Sequence, residues 1–240
     1  MPRPRVVCVH GSVVNGDVTW ASQRPLAERF ELVIPNRRGF PPGPDVDSVD
    51  FEDEAAWLEP LVEDGTHLVG HSYGGVIALF CGARYAERLR SLTVIEPPCF
   101  RVAAGRPAVD AYVARSEALW ELRDDPETFL RGFLEVVGSS VPPGRFTPEL
   151  LQGARTLAVE RHPWDAVIPL AELAATPYPK LVVSGAHADP FELVCDLLEQ
   201  RLGAERAVLP GAGHSVQRLG EPFNALLEAF VNRAEAVTNP

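Results

Sequence analysis

The sequence predicts an α/β fold: a doubly wound, mainly six-stranded parallel sheet with a helical cap insertion. Short β-branched segments alternate with segments of helical periodicity, which is typical of parallel strands joined by right-handed crossovers. The β-branched segments are apolar almost throughout, as expected for strands covered on both faces. The predicted strands are residues 5–10, 31–35, 66–70, 91–95, 180–184 and 205–209.

Two helices are predicted between strands in the first part of the chain. Apolar residues recur there at spacings of three and four, which places them on one face of a helix. The two faces consist of Ala55, Leu58, Leu61 and Val62, and of Val76, Leu79, Phe80 and Ala83. Each helix would cover the sheet beside it.

The alternation stops between the fourth and fifth predicted strands. Helical patterns cover residues 109–120, 129–137 and 150–158 there, and turn-forming residues separate them. We therefore assign residues 99–176 to a helical cap over the carboxyl edge of the sheet. The α/β core then comprises residues 1–98 and 177–240.

Composition excludes several classes of partner. The 240 residues carry a formal net charge of -11, so nucleic acid and anionic membrane surfaces are not expected partners. No apolar run approaches the ~18 residues of a membrane helix, and residues 6–9 form too short a run for a secretory signal. A cytoplasmic protein with a small-molecule substrate is the expectation, and its oligomeric state stays open.

The strongest motif is Gly70-His71-Ser72-Tyr73-Gly74. It matches G-x-S-x-G, and it lies between a predicted strand and a predicted helix, where that motif forms a sharp turn that exposes the serine hydroxyl. The start of the following helix favours negative charge. Ser72 is therefore the candidate nucleophile.

Two further turns at strand ends complete a catalytic pattern. His10-Gly11-Ser12 follows the first strand and predicts an oxyanion hole made by the backbone amides of Ser12 and Tyr73, with His10 as a structural residue. A glycine-rich loop after the last strand carries His214, which follows the serine in chain order as a general base does in many serine hydrolases.

These motifs resemble those of the α/β-hydrolase fold superfamily, and the similarity covers nearly the whole chain. The resemblance implies that the first two strands of that fold are absent here and that the cap follows the fourth remaining strand. The second-strand loop departs from the D-R-x-G pattern of relatives, since it contains Asn36-Arg37-Arg38-Gly39. We interpret this as a change of loop shape.

The acid of the triad has two candidates. Relatives commonly have G-x-x-D after the penultimate strand, and here Asp189 comes one residue late after Gly185. Asp189 is the preferred acid, because one extra residue can bulge out of a loop. Glu96 is the alternative, because some members of the superfamily place their acid after the preceding strand. His187, in the same loop as Asp189, is expected at the surface.

The predicted function is hydrolysis of an ester or thioester of a small, partly apolar substrate through an acyl-enzyme. This chemistry needs no cofactor, and the four cysteines form no metal-binding pair. Two alternatives remain open. One is a carbon–carbon hydrolase or lyase that uses the same triad, and the other is a non-catalytic receptor for a small ligand.

Overall fold

A computed structural model, which describes residues 3–238, contains one six-stranded sheet in which every strand pair is parallel. The strands are β1 (Arg5–Val9), β2 (Glu31–Val33), β3 (Thr66–His71), β4 (Leu89–Ile95), β5 (Lys180–Ser184) and β6 (Glu205–Val208). Their order across the sheet is β2-β1-β3-β4-β5-β6. The predicted fold class and number of strands are confirmed.

Successive residues of each central strand point to opposite faces of the sheet, and each face has its own apolar core. Val7 and Leu68 belong to one core cluster, whereas their neighbours Val6 and Val69 belong to the other. This two-sided burial explains the continuous apolar runs in the sequence.

Nine α-helices lie within the described residues. They are α1 (Gly16–Thr19), α2 (Phe51–Trp57), α3 (Tyr73–Arg84), α4 (Pro107–Trp120), α5 (Pro126–Val136), α6 (Pro148–Ala158), α7 (Leu170–Ala175), α8 (Asp189–Leu202) and α9 (Glu221–Thr238). Side chains of α2, α3 and α8 join the core on one face of the sheet, and those of α9 join the core on the other. Each of the nine is too short or too polar to cross a lipid bilayer.

The segment between β4 and β5 is helical, as predicted. Proline begins α4, α5 and α6, at a position where its missing N–H costs no helical hydrogen bond. The side chains of Asp125 and Thr147 accept hydrogen bonds from the first turns of α5 and α6. These three helices share a third apolar cluster. The division into a core and a separate cap at residues 99–176 stays a prediction.

Candidate active site

Ser72 occupies a strained turn between β3 and α3. Its φ of 55° and ψ of -125° lie outside the regions that residues with a Cβ ordinarily adopt. A Cβ at Gly70 would approach the carbonyl oxygen of Gly74 to 2.3 Å, and one at Gly74 would approach that of His10 to 2.4 Å. The glycines of the motif are therefore required by close backbone contacts around the serine.

A chain of hydrogen bonds joins Ser72 to a histidine and a carboxylate. The Ser72 hydroxyl lies 2.9 Å from Nε2 of His214. The other ring nitrogen, Nδ1 of His214, lies 2.8 Å from Oε2 of Glu96. All three side chains are buried. An ionised carboxylate only accepts hydrogen bonds, so Nδ1 carries the proton and Nε2 is free to accept one from Ser72.

Glu96 lies directly after β4 and is held as an anion. Its Oε1 accepts a hydrogen bond from the amide of Gly185 at 2.7 Å, and it lies 3.1 Å from Nδ1 of His187. Burial alone would raise the pKa of Glu96, but the hydrogen bonds from His187, His214 and Gly185 outweigh it and lower the pKa to about 2.

The preference for Asp189 as the carboxylate beside His214 is corrected by this geometry. Asp189 is exposed and forms the first residue of α8, so its side chain faces solvent rather than the imidazole. The loop between Gly185 and Asp189 instead places His187 next to Glu96. His187 is half-buried, and the expectation of a surface histidine is wrong.

Backbone strain marks the same region. The non-glycine residues with positive φ within residues 3–238 are Val13, Ser72, Glu96 and Ala186. Each lies in a loop that follows a strand of the sheet, and two of them, Ser72 and Glu96, are the ends of the hydrogen-bonded chain. Such strain persists only where the surrounding structure enforces it, and it is common at functional sites.

The loop after β1 packs closely on the nucleophile. A Cβ at Gly11 would lie 2.9 Å from Cβ of Ser72, so glycine allows the close approach. Nε2 of His10 accepts a hydrogen bond from the amide of Arg37 at 2.9 Å. Burial, together with the positive charge of Arg37, lowers the pKa of His10 well below its ordinary value. These contacts support the structural role expected for His10.

A buried ionic network ties this loop to α6. Arg37, fully buried, donates to Oε1 of Glu160 at 2.8 Å and to the carbonyl oxygen of Gly11 at 3.0 Å. Glu160, which follows α6, also accepts a hydrogen bond from the Ser12 hydroxyl. The sequence does not reveal this network, because Arg37 and Glu160 are far apart in the chain and Glu160 belongs to no motif that would pair it with the second-strand loop.

Two cavities meet at Ser72, and both are also lined by Ser12 and His214. One has a volume of about 480 Å³ and opens to solvent. The other, about 40 Å³, is enclosed by mainly apolar side chains. Its aromatic wall consists of Tyr73, Phe100, Tyr112, Trp120, Phe133, Trp164 and Phe191. A substrate bound at Ser72 can therefore extend into two cavities, one open to solvent and one lined mainly by apolar side chains.

One group of side chains in the described part of the chain has the composition of a metal site. Glu96, His187 and His214 offer ligand atoms that lie within 4.8 Å of one another. The same atoms form the hydrogen bonds between the two imidazoles and the carboxylate. A metal ion there would replace the bonds that connect the acid to His214.

Comparison with known proteins agrees with this architecture. Residues 6–226 match the model of the alpha/beta hydrolase family, and the chain belongs to that family. A pimeloyl-[acyl-carrier protein] methyl ester esterase from Aeromonas hydrophila is 32% identical over 102 residues, which are 40% of this chain and 39% of that protein. The chain thus matches about two fifths of the length of this curated relative.

Solved structures share the fold over nearly the whole chain. A thermophilic esterase from Thermogutta terrifontis has a TM-score of 0.73 and 19% identity, covering 97% of this chain and 91% of its own. MenH from S. aureus has a TM-score of 0.74 and 14% identity, covering 98% of this chain and 96% of its own. At these identities the likeness is one of fold.

Proposed function

We propose that this protein is a serine hydrolase that cleaves carboxylic esters or thioesters through an acyl-enzyme. Ser72 is the nucleophile, His214 the general base and Glu96 the acid of the triad. The observation that carries the proposal is the continuous hydrogen-bonded chain from the Ser72 hydroxyl through both nitrogens of His214 to Glu96. This is the arrangement that activates a serine in acyl transfer.

The reaction proceeds in two halves. Nε2 of His214 accepts the proton of Ser72 while Oγ forms a bond to the ester carbonyl carbon, and the π electrons of the carbonyl move to its oxygen, which becomes an oxyanion. The amides of Ser12 and Tyr73, at the start of α3, stabilise that charge. His214 then protonates the departing alcohol or thiol, leaving an acyl-enzyme. A water molecule, deprotonated by His214, then attacks the acyl-enzyme in the same way, and the products are a carboxylic acid and free Ser72.

Glu96 contributes by keeping His214 in the productive tautomer and by balancing the charge of the imidazolium. Its pKa of about 2 means that it remains ionised throughout the neutral range. The intact chain of hydrogen bonds favours an enzyme over a receptor with an inactive site. The curated relative is an ester hydrolase by name, which favours ester chemistry over carbon–carbon cleavage.

The test is hydrolysis of a short- to medium-chain p-nitrophenyl ester series by the wild type and by Ser72→Ala, together with labelling by a serine-reactive phosphonate. We expect turnover by the wild type, a loss of about 10⁴- to 10⁶-fold in kcat for Ser72→Ala, and one label on Ser72 by peptide mass spectrometry. Labelling of Ser72 without turnover of any ester would point to the carbon–carbon class. Absence of both would contradict the proposal.

A further inference from the structure

The open cavity beside Ser72 contains a single arginine and no carboxylate. Apart from the histidines, Arg218 is the one ionisable side chain among its lining residues, and the rest are apolar or neutral. Arg218 lies in the 3-10 turn Val216–Leu219, four residues after His214. The loop that supplies the general base thus also supplies a positive charge to the cavity.

Arg218 has no acidic partner among residues 3–238, the part of the chain that the structure describes. Within residues 3–238, 12 arginines form an ion pair with a carboxylate, and Arg218 is not one of them. The protein carries a net charge of -11, so acidic side chains are abundant elsewhere. An unpaired cation in a cavity without carboxylates favours an anionic ligand.

The wall beside Arg218 has unused hydrogen-bonding capacity. Gln217 is fully buried, lines the same cavity, and has neither side-chain amide atom in a hydrogen bond. Buried amides are ordinarily satisfied. The positive charge of Arg218 also acts on a buried histidine of the same cavity. Burial lowers the pKa of His71 to about 3, and the charges of His214 and Arg218 lower this pKa further.

The enclosed cavity has the opposite character. Aromatic and aliphatic side chains dominate its wall, and it is far smaller than the open one. An anionic group there would lose hydration and would face the carboxylate of Glu160 without an arginine or lysine in the lining. An ester bound at Ser72 would therefore place its two flanks in different cavities. One cavity favours a small apolar group, and the other favours an anion.

We infer that the substrates are small esters whose larger flank carries a carboxylate, with Arg218 as the residue that determines this specificity. The inference rests on the proposed ester hydrolysis. The small apolar flank lies in the enclosed cavity, and the carboxylate-bearing flank extends through the open cavity to Arg218. Arg218 lines the cavity without joining the hydrogen-bonded chain of Ser72, His214 and Glu96, so we expect it to act on binding rather than on the chemical step.

The experiment compares esters that differ only in charge. Monomethyl glutarate is paired with methyl 4-carbamoylbutanoate, and 4-acetoxybutanoate with 4-acetoxybutanamide. The two pairs cover both orientations of the ester. In each, a primary amide replaces the carboxylate at nearly the same size. Values of kcat/KM are measured for the wild type, Arg218→Gln, Arg218→Lys and Arg201→Gln. Arg201 is an exposed arginine on α8 outside the cavity, so its variant controls for net charge.

We expect the wild type to prefer the carboxylate in at least one pair by about ten-fold, which is the scale of a charge-assisted contact near the surface. Arg218→Gln should abolish this preference by raising KM for the carboxylate ester more than for the amide ester. Arg218→Lys should keep part of the preference for the carboxylate ester, and Arg201→Gln should keep all of this preference. Added salt should weaken it.

Equal rates for carboxylate and amide esters in the wild type would overturn the inference, and so would a preference that survives in Arg218→Gln. Either result with turnover that depends on Ser72 would leave the proposed function standing. Absence of turnover together with absence of phosphonate labelling at Ser72 would overturn both.

Discussion

Nδ1 of His187 lies 3.1 Å from Oε1 of Glu96, the carboxylate oxygen that His214 does not contact. The acid of the site therefore lies between two histidines from different loops. His187 comes from the loop after β5, where relatives commonly carry the acid itself. In this chain that loop supplies a hydrogen-bond donor to an acid after β4.

Removal of His187 should impair the triad without unfolding the protein. His187→Ala takes one donor from Glu96, and we expect kcat to fall about ten-fold, since a hydrogen bond to a charged group contributes about 1.5–3 kcal/mol. A more basic Glu96 holds the proton on His214 more strongly, so the acid limb of the kcat/KM profile should move to higher pH.

The matched variant is His187→Asn, whose side-chain amide can replace the Nδ1 donor. It should recover part of the activity and return the acid limb toward the wild-type position. A positioning role for His187 would be refuted if both variants retained wild-type kcat and an unshifted pH profile.

Glu96 should make stability depend on pH in the acid range. Folding lowers its pKa from 4.5 to about 2, so the stabilisation is fully present above about pH 4.5 and is lost as the pH falls toward 2. The difference in unfolding free energy between the wild type and Glu96→Gln should shrink over this interval in urea titrations. Asp189→Asn, at an exposed carboxylate, is the control. A difference that stays constant from about pH 6 to pH 2.5 would contradict the ionised state of Glu96.

Gly153 of α6 should be intolerant of a methyl group. A Cβ there would lie 1.8 Å from the carbonyl oxygen of Val13, in the loop that carries Ser12. Gly153→Ala should displace this loop, destabilise the protein by about 1–3 kcal/mol and lower kcat/KM by about 10- to 100-fold.

Gly132 of α5 is the matched control for that prediction. The three nearest atoms to a Cβ at Gly132 would all belong to the Leu119 side chain, and the close contact, 2.4 Å, is with Cδ1, the end of a flexible side chain rather than backbone. Gly132→Ala should therefore change activity little. Urea unfolding and ester hydrolysis, measured in parallel for both variants, compare their stability and their activity. Equal effects of the two substitutions would show that α6 does not position the oxyanion loop.

The strained backbone of Ser72 should reduce stability. Ser72→Gly and Ser72→Ala both lack the nucleophile, but only glycine adopts φ 55° and ψ -125° at low cost. We expect Ser72→Gly to be more stable than Ser72→Ala by about 1 kcal/mol in chemical denaturation, despite the entropy cost of glycine. A less stable Ser72→Gly would mean that the turn is unstrained.

Much of the fold could be predicted from local sequence patterns. Continuous apolar runs identified all six strands, because a parallel sheet buried on both faces leaves no alternation of polar residues. Ser72 was predictable because its turn needs a glycine two residues before it and another two residues after it, which is a local pattern. His214 followed from a glycine-rich loop in the expected chain order.

The partners of these residues were not predictable in the same way. The choice between Asp189 and Glu96 depends on which loop reaches His214 in space. One extra residue after Gly185 moves Asp189 to the exposed start of α8. Glu96 reaches the imidazole from a backbone with φ of 45°, a conformation that no local pattern signals for a glutamate. The buried pair of Arg37 and Glu160 likewise depends on how α6 returns to the sheet.

We propose that Glu96, and not Asp189, completes the triad with Ser72 and His214. The most direct test is kcat for one p-nitrophenyl ester, measured with Glu96→Gln and Asp189→Asn under identical conditions. Glu96→Gln should lose about 10³- to 10⁴-fold, because it disrupts the tautomer of His214, and Asp189→Asn should remain within about two-fold of the wild type, as expected for an exposed side chain outside the site. A collapse of Asp189→Asn with an active Glu96→Gln would contradict the account.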